Sequence, residues 1–162
     1  MQETFEQYTA RLLSYLQNDD PLKVLRHTVT KLDKLSKNSD SSLRKKKKDG
    51  KWSDAEILAH FAEGELVFAY RVRMILNANG TAIQAYDQNV WVANANYLRK
   101  KPRLAFELFR SVRLSNIEFL KALTSDQWDY YGIHSQRGKE SIKLLTHLMA
   151  GHDLNHLRQF QR

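Results

Sequence analysis

Apolar positions recur at intervals of three and four along most of this chain, the period of an α-helix with one buried face. Phe5, Tyr8, Leu12 and Leu16 open the pattern. Asp20 then offers an N-cap to a helix that begins at Pro21, where a missing N–H costs nothing, and Leu22, Leu25, Val29, Leu32 and Leu35 carry its stripe. The sharpest start signal is "WSDAEI". Ser53 and Glu56 have the spacing of a capping box, and Trp52 and Ile57 flank them as a hydrophobic staple. The helix they open is expected to run to about Asn79, with Gly80 as its stop. "AYDQNVWVANANYLRKK" is less periodic and predicts a shorter helix with loop. Pro102 opens another long helix through "PRLAFELFRSVRLSNIEFLKAL", "TSDQWDYYGIHSQRGKE" predicts mostly loop, and a last helix is expected over roughly residues 141–161. No stretch predicts a strand and no internal repeat is visible. The pattern describes an all-α fold, a four-helix bundle with extra short helices, in one domain over residues 1–162.

Composition narrows this picture. The chain has no cysteine, so disulfides and thiolate metal ligands are excluded, and any metal must be held by His, Asp or Glu. "MQETFEQYTARL" has no apolar core of a signal peptide, and no apolar run approaches the roughly 18 residues of a membrane span. A cytoplasmic location without membrane contact is expected. The net charge is +8, but "RKKKK" at 44–48 supplies five of those charges inside the polar stretch "SKNSDSSLRKKKKDGK". That stretch reads as a solvated loop between helices in preference to a nucleic-acid site.

The chemistry lies in the histidines. "GHDLNHLRQ" places His152 and His156 four apart on the stripe Ile142, Leu145, Met149, His152, His156, Phe160. Four residues turn a helix by about 400°, so both rings point the same way. In the capped helix, Ile57, His60, Gly64, Val67 and Arg71 share a face, which turns His60 inward too. His60 stands roughly 10 Å from the start of its helix, and His152 and His156 roughly 8 to 14 Å from the end of theirs. If the two helices pack antiparallel, three imidazoles meet, and Gly64 is expected to let the helices come close. Three neutral rings with a fourth position open are the ligand set of a catalytic metal rather than a closed structural one. Each ring alone would read as a core histidine. His147, about 140° around from His152, serves as the contrast, and His27 and His134 have no helical partner. Asp153 is expected to orient a side chain or to pair on the surface. Glu63, three residues after His60, is the candidate acceptor that would orient a ligand ring. Asp87, Trp91 and Tyr97 are candidate pocket walls.

"GKWSDAEILAHFAEGELVFAYRVRMIL" followed by "GIHSQRGKESIKLLTHLMAGHDLNHLRQ", with the "DP" dipeptide near residue 20, resembles the DinB/YfiT-like superfamily over nearly the whole chain. The resemblance implies an up-down-down-up bundle and a three-histidine metal site at His60, His152 and His156. It implies one divalent transition metal, zinc or nickel first, with iron or manganese as alternatives. It also implies a small-molecule substrate, acted on by hydrolysis or by transfer to a low-molecular-weight thiol. The alternatives are a metal-stabilised bundle without turnover and a binding module whose basic loop meets nucleic acid or an acidic partner. Association into a homodimer is left open.

Overall fold

The computed structural model describes residues 3–46 and 50–160. Eight helices are present among them: α1 (Phe5–Leu16), α2 (Pro21–Ser36), α3 (Asp40–Arg44), α4 (Asp54–Asn77), α5 (Gln88–Asn94), α6 (Pro102–Lys121), α7 (Ser125–Trp128) and α8 (Ile142–Phe160), with a 3₁₀ turn at Tyr97–Arg99. The local signals sit where the capping residues place them. Asp20 accepts from the Leu22 N–H at 2.8 Å, with Pro21 in the first turn. Ser53 accepts from the Glu56 N–H at 3.3 Å while the Glu56 carboxylate accepts from the Ser53 N–H at 2.7 Å. Thr4 and Gln7 form a second capping box, at the start of α1.

The directions of the long helices follow from their cross-contacts. Arg26 meets Glu118 and Ser36 meets Arg103, so α2 and α6 run antiparallel. Phe61 meets Phe109 and Glu65 meets Arg113, so α4 and α6 run parallel. His60 meets His156 near one end, whereas Phe68, Val72 and Ile75 share a core cluster with Ile142 and Leu145 at the other, so α4 and α8 run antiparallel. With α2 up, α4 and α6 run down and α8 up: an up-down-down-up four-helix bundle.

Three expectations need correction. A small sheet exists: β1 (Thr81–Ile83) pairs parallel with β2 (Tyr131–His134), which forms a hairpin with β3 (Gly138–Ser141). Its strands are three or four residues long, too short to show alternation. The hairpin turn uses Gly138 at φ +75°, where a side chain would be strained. The second correction concerns the polar stretch before "WSDAEI", which is not all solvated loop. Leu43 of α3 is 1% exposed in the core, and Arg44 donates to the carbonyls of Leu98 and Lys100. Of the basic run, Lys47 and Lys48 lie outside the described residues.

Gly151, not Gly64, is where helices come close. A Cβ at Gly151 would lie 2.2 Å from the Leu12 carbonyl oxygen, whereas one at Gly64 would meet nothing within 4 Å. Helix α1 therefore rests directly on the backbone of α8, one residue before His152. Among the described residues, no helix is long and apolar enough to cross a membrane.

Candidate metal centre

His60 sits seven residues after the Ser53 cap, and the capping box fixes where the first turns of α4 begin. His152 and His156 lie one turn apart near the end of α8. The antiparallel packing brings one ring nitrogen from each within 4.8 Å of the others. His60 Nε2 and His152 Nε2 are 2.8 Å apart, so a single proton is shared along that line when nothing else lies between them. His156 Nδ1 stands 3.4 Å from Gln159 Oε1, which accepts from it and leaves Nε2 its lone pair. The indole of Trp52 stacks parallel to His156, 6.3 Å between centroids, and tilts against His60 at 5.0 Å; Phe61 edges His152 and His156.

Burial favours the neutral form of His60 and His156. His60 is pushed well below the ordinary imidazole range, first by burial and then by the neighbouring rings. His156 is pushed down to about 3, first by burial and then by the neighbouring His152 ring. Neutral rings present lone pairs to a cation. His152 Nδ1 is buried without a hydrogen-bond partner, and the nearby carboxylate oxygen is Asp153 Oδ1 at 3.9 Å. Were both facing Nε2 atoms to hold an ion, the ring protons would sit on Nδ1, and on His152 that atom faces the Asp153 carboxylate. The donor set and the orphaned nitrogen both fit a divalent ion.

Asp153 does not pair on the surface: it is buried completely. Its oxygens accept from Arg113 at 2.5 and 3.2 Å. Burial pushes its carboxyl up, and the Arg113 charge and hydrogen bonds outweigh this and hold it below the usual range. Arg113, itself 1% exposed, also donates to Glu65 at 2.7 Å and to the Leu25 carbonyl at 3.2 Å, and Asn116 donates to the other Glu65 oxygen at 2.7 Å. Two buried carboxylates thus face one guanidinium, and the one beside His152 adds negative potential where a cation would sit. Sequence reasoning missed this network. Its signal was present: Arg113 interrupts the stripe Phe106, Phe109, Ile117, Leu120, and Glu65 the stripe Phe61, Phe68, Val72, Ile75, each as a charge at an inward position.

The face of α4 that carries His60 continues through Gly64, Val67 and Arg71, which together with His152 line a cavity of about 120 Å³. It adjoins a groove of about 700 Å³, sharing Val67, Arg71 and Tyr86. Asp87 and Trp91 line the groove; Asp87 also caps α5 through the Asn89 N–H at 2.7 Å, and Trp91 packs on Tyr86. Tyr97 lines neither, being 1% exposed in the core with the Lys100 ammonium over its ring. Glu63 faces the groove, and its carboxylate accepts from Lys100 Nζ. His147 points away and bonds the Lys143 carbonyl, and His134 builds the hairpin turn by accepting from the Gln136 and Arg137 N–H groups.

In the solved structures, YfiT from Bacillus subtilis, described as a probable metal-dependent hydrolase with an unusual four-helix bundle topology, superposes with a TM-score of 0.80. It is 22% identical, and the match covers 90% of this chain and 84% of that one. Among curated proteins, one from Oceanobacillus iheyensis named putative metal-dependent hydrolase is 21% identical over 119 residues, 74% of this chain and 68% of its own. The profile of the DinB superfamily matches residues 19–160. The helix order, the helix directions and this match agree: the chain belongs to the DinB superfamily.

Proposed function

We propose that this protein is a metal-dependent enzyme in which His60, His152 and His156 hold one divalent transition metal, zinc or nickel before iron or manganese. The carrying observation is the meeting of one ring nitrogen from each of three imidazoles, two of them buried, within 4.8 Å beside a cavity that reaches His152. The two relatives described as metal-dependent hydrolases support hydrolysis, and transfer to a low-molecular-weight thiol would use the same three ligands.

The chemistry a divalent ion supplies at three neutral ligands is Lewis-acid activation of a water or thiol near neutral pH. The chain's own residues prepare the place. Gln159 sets the tautomer of His156, and Asp153, held by Arg113, faces the Nδ1 of His152. Trp52 and Phe61 pack against the rings and exclude water from that side. His152, 15% exposed, is the ring that opens on the cavity. Glu63, one turn beyond His60, stands on the groove side as the carboxylate that can orient or take a proton, with Lys100 holding it in place.

The test is metal analysis of protein purified without a histidine tag, followed by screens of ester, amide and thiol-transfer substrates with and without chelator. About one divalent metal per chain is expected. His156→Ala should lose it and His147→Ala should keep it. Equal metal content in the two variants, or full activity in metal-free protein, overturns the reading.

A further inference from the structure

The cavity beside His152 is charged at its other end. Arg71 and Arg137 both line it, and the residues that line it include no carboxylate. Arg137 is partly compensated from behind by Glu140, which is 2% exposed and accepts from it at 2.5 and 3.0 Å. Arg71 has no acidic partner among the described residues: its guanidinium donates to the Gln84 carbonyl at 2.6 Å and lies over the Tyr86 ring. Burial, and after it the charge of Arg137, push Arg71 below its ordinary range. Two guanidinia that share a cavity with one carboxylate between them leave an excess positive charge in a partly desolvated place. That is unfavourable until an anion enters. Tyr8 and Tyr86 line the same cavity, and neither hydroxyl is hydrogen-bonded among the described residues. Burial raises both phenols, so they stay protonated as donors.

The surroundings give the rest of the ligand. Arg71 and Tyr86 stand at the junction with the larger groove, whose walls include Leu66, Val67, Met74, Ile83, Val90 and Trp91. Arg71 lies eleven residues beyond His60 on one face of α4, about 16 Å along the axis.

We propose that Arg71 and Arg137 form an anion-recognition subsite, so that the substrate carries a carboxylate or phosphate between its reacting bond near His152 and an apolar body in the groove. This rests on the reading of His152 as part of the reaction centre. Arginine suits the task, because its planar fork bonds two oxygens of either anion at once.

Calorimetric titration of the full chain with phenylacetate, phenyl phosphate and neutral phenylacetamide tests it. The protein is made metal-free with chelator, so that no anion can bind a metal instead. At least one anion should bind one-to-one and more weakly as salt rises, with phenylacetamide at least about tenfold weaker. A tighter phosphate assigns a phosphoryl group, and a tighter carboxylate assigns a carboxylate. R71Q should weaken the anion about ten- to a hundredfold and leave phenylacetamide unchanged. R71K, which keeps the charge and loses the fork, should fall between. E140Q, which removes the opposing charge, should tighten anion binding. R137Q should likewise weaken the anion; should it fail to fold for want of its Glu140 pair, the R71Q and R71K results decide alone. R26Q, on exposed α2 surface, should behave as wild type. Anion binding that persists in metal-free H156A supports the subsite even if the metal assignment fails. Equal affinity for anion and amide, or an R71Q protein that binds anions normally, overturns the subsite even if metal content is as expected.

Discussion

Single atoms at two positions carry consequences that helical periodicity cannot show. Gly64 lies on the ligand-bearing face of α4 with open space where a Cβ would be, and it lines the cavity beside His152. Gly64→Ala should therefore stabilise the protein by about 0.5–1 kcal/mol, the helix-propensity gain of Ala over Gly. It should also crowd the cavity, so a denaturant melt and a ligand titration on one sample should move in opposite directions. A G64A protein less stable than wild type would show the space to be filled. His134 is the second case. Its Nδ1 accepts two turn N–H bonds, its Nε2 is buried without a partner, and burial first, then the Arg137 charge, push it to about 4 from an ordinary 6.5. The folded state takes up this proton less readily than the unfolded chain. The contribution is therefore complete above pH 6.5 and is lost as pH falls from there through 4. His134→Asn keeps an acceptor near Nδ1 and cannot titrate. In metal-free protein, its melting temperature should fall less between pH 7.5 and pH 5 than that of wild type; identical slopes would remove His134 from the acid response.

At the scale of elements, α1 depends on one backbone contact. Leu12 and Leu16 are each 3% exposed, and burying a leucine stabilises by about 1.5–3 kcal/mol. Both reach the core because α1 lies against Gly151 of α8. Gly151→Ala would normally favour a helix, but here the methyl would lie 2.2 Å from a carbonyl oxygen. A net loss of about 1–3 kcal/mol is expected, as for overpacked cores. Faster amide exchange should be confined first to α1. A variant as stable as wild type, with α1 amides equally protected, would contradict the close approach. Because His152 follows Gly151, metal affinity should fall in the same variant.

For the whole molecule the decisive residue is Arg113, which bonds from α6 to α2, α4 and α8 at once. Arg113→Met keeps most of the volume and leaves Glu65 and Asp153 as buried carboxylates without their cation. Breaking such a network costs about 3–5 kcal/mol. The loss should shrink at acid pH: stranded carboxylates take up protons more readily folded than unfolded, the reverse of the His134 dependence. A denaturant series of R113M and wild type at pH 7.5 and pH 5 measures both effects. A loss that is the same at the two pH values would mean that packing, not charge, holds the four helices there.

The long helices, their caps and the inward histidines were legible in the sequence because each depends on neighbours within one turn: a side chain reaching N–H groups two or three residues on, or rings repeating every four. Antiparallel pairing of α4 and α8 was legible only conditionally, from matching depths of His60, His152 and His156. The short strands were not legible, since three or four residues carry no period and β1 finds its partner some fifty residues away in β2. Nor could sequence decide that Asp153 lies buried beside the histidines, that Tyr97 belongs to the core, or which glycine admits a neighbouring backbone. Those outcomes depend on which residue of another helix arrives at the same height. Local hydrogen bonding and periodicity determined the elements; only packing determined that Arg113 meets two carboxylates, that α1 touches Gly151, and that Arg71 and Arg137 share a cavity with His152.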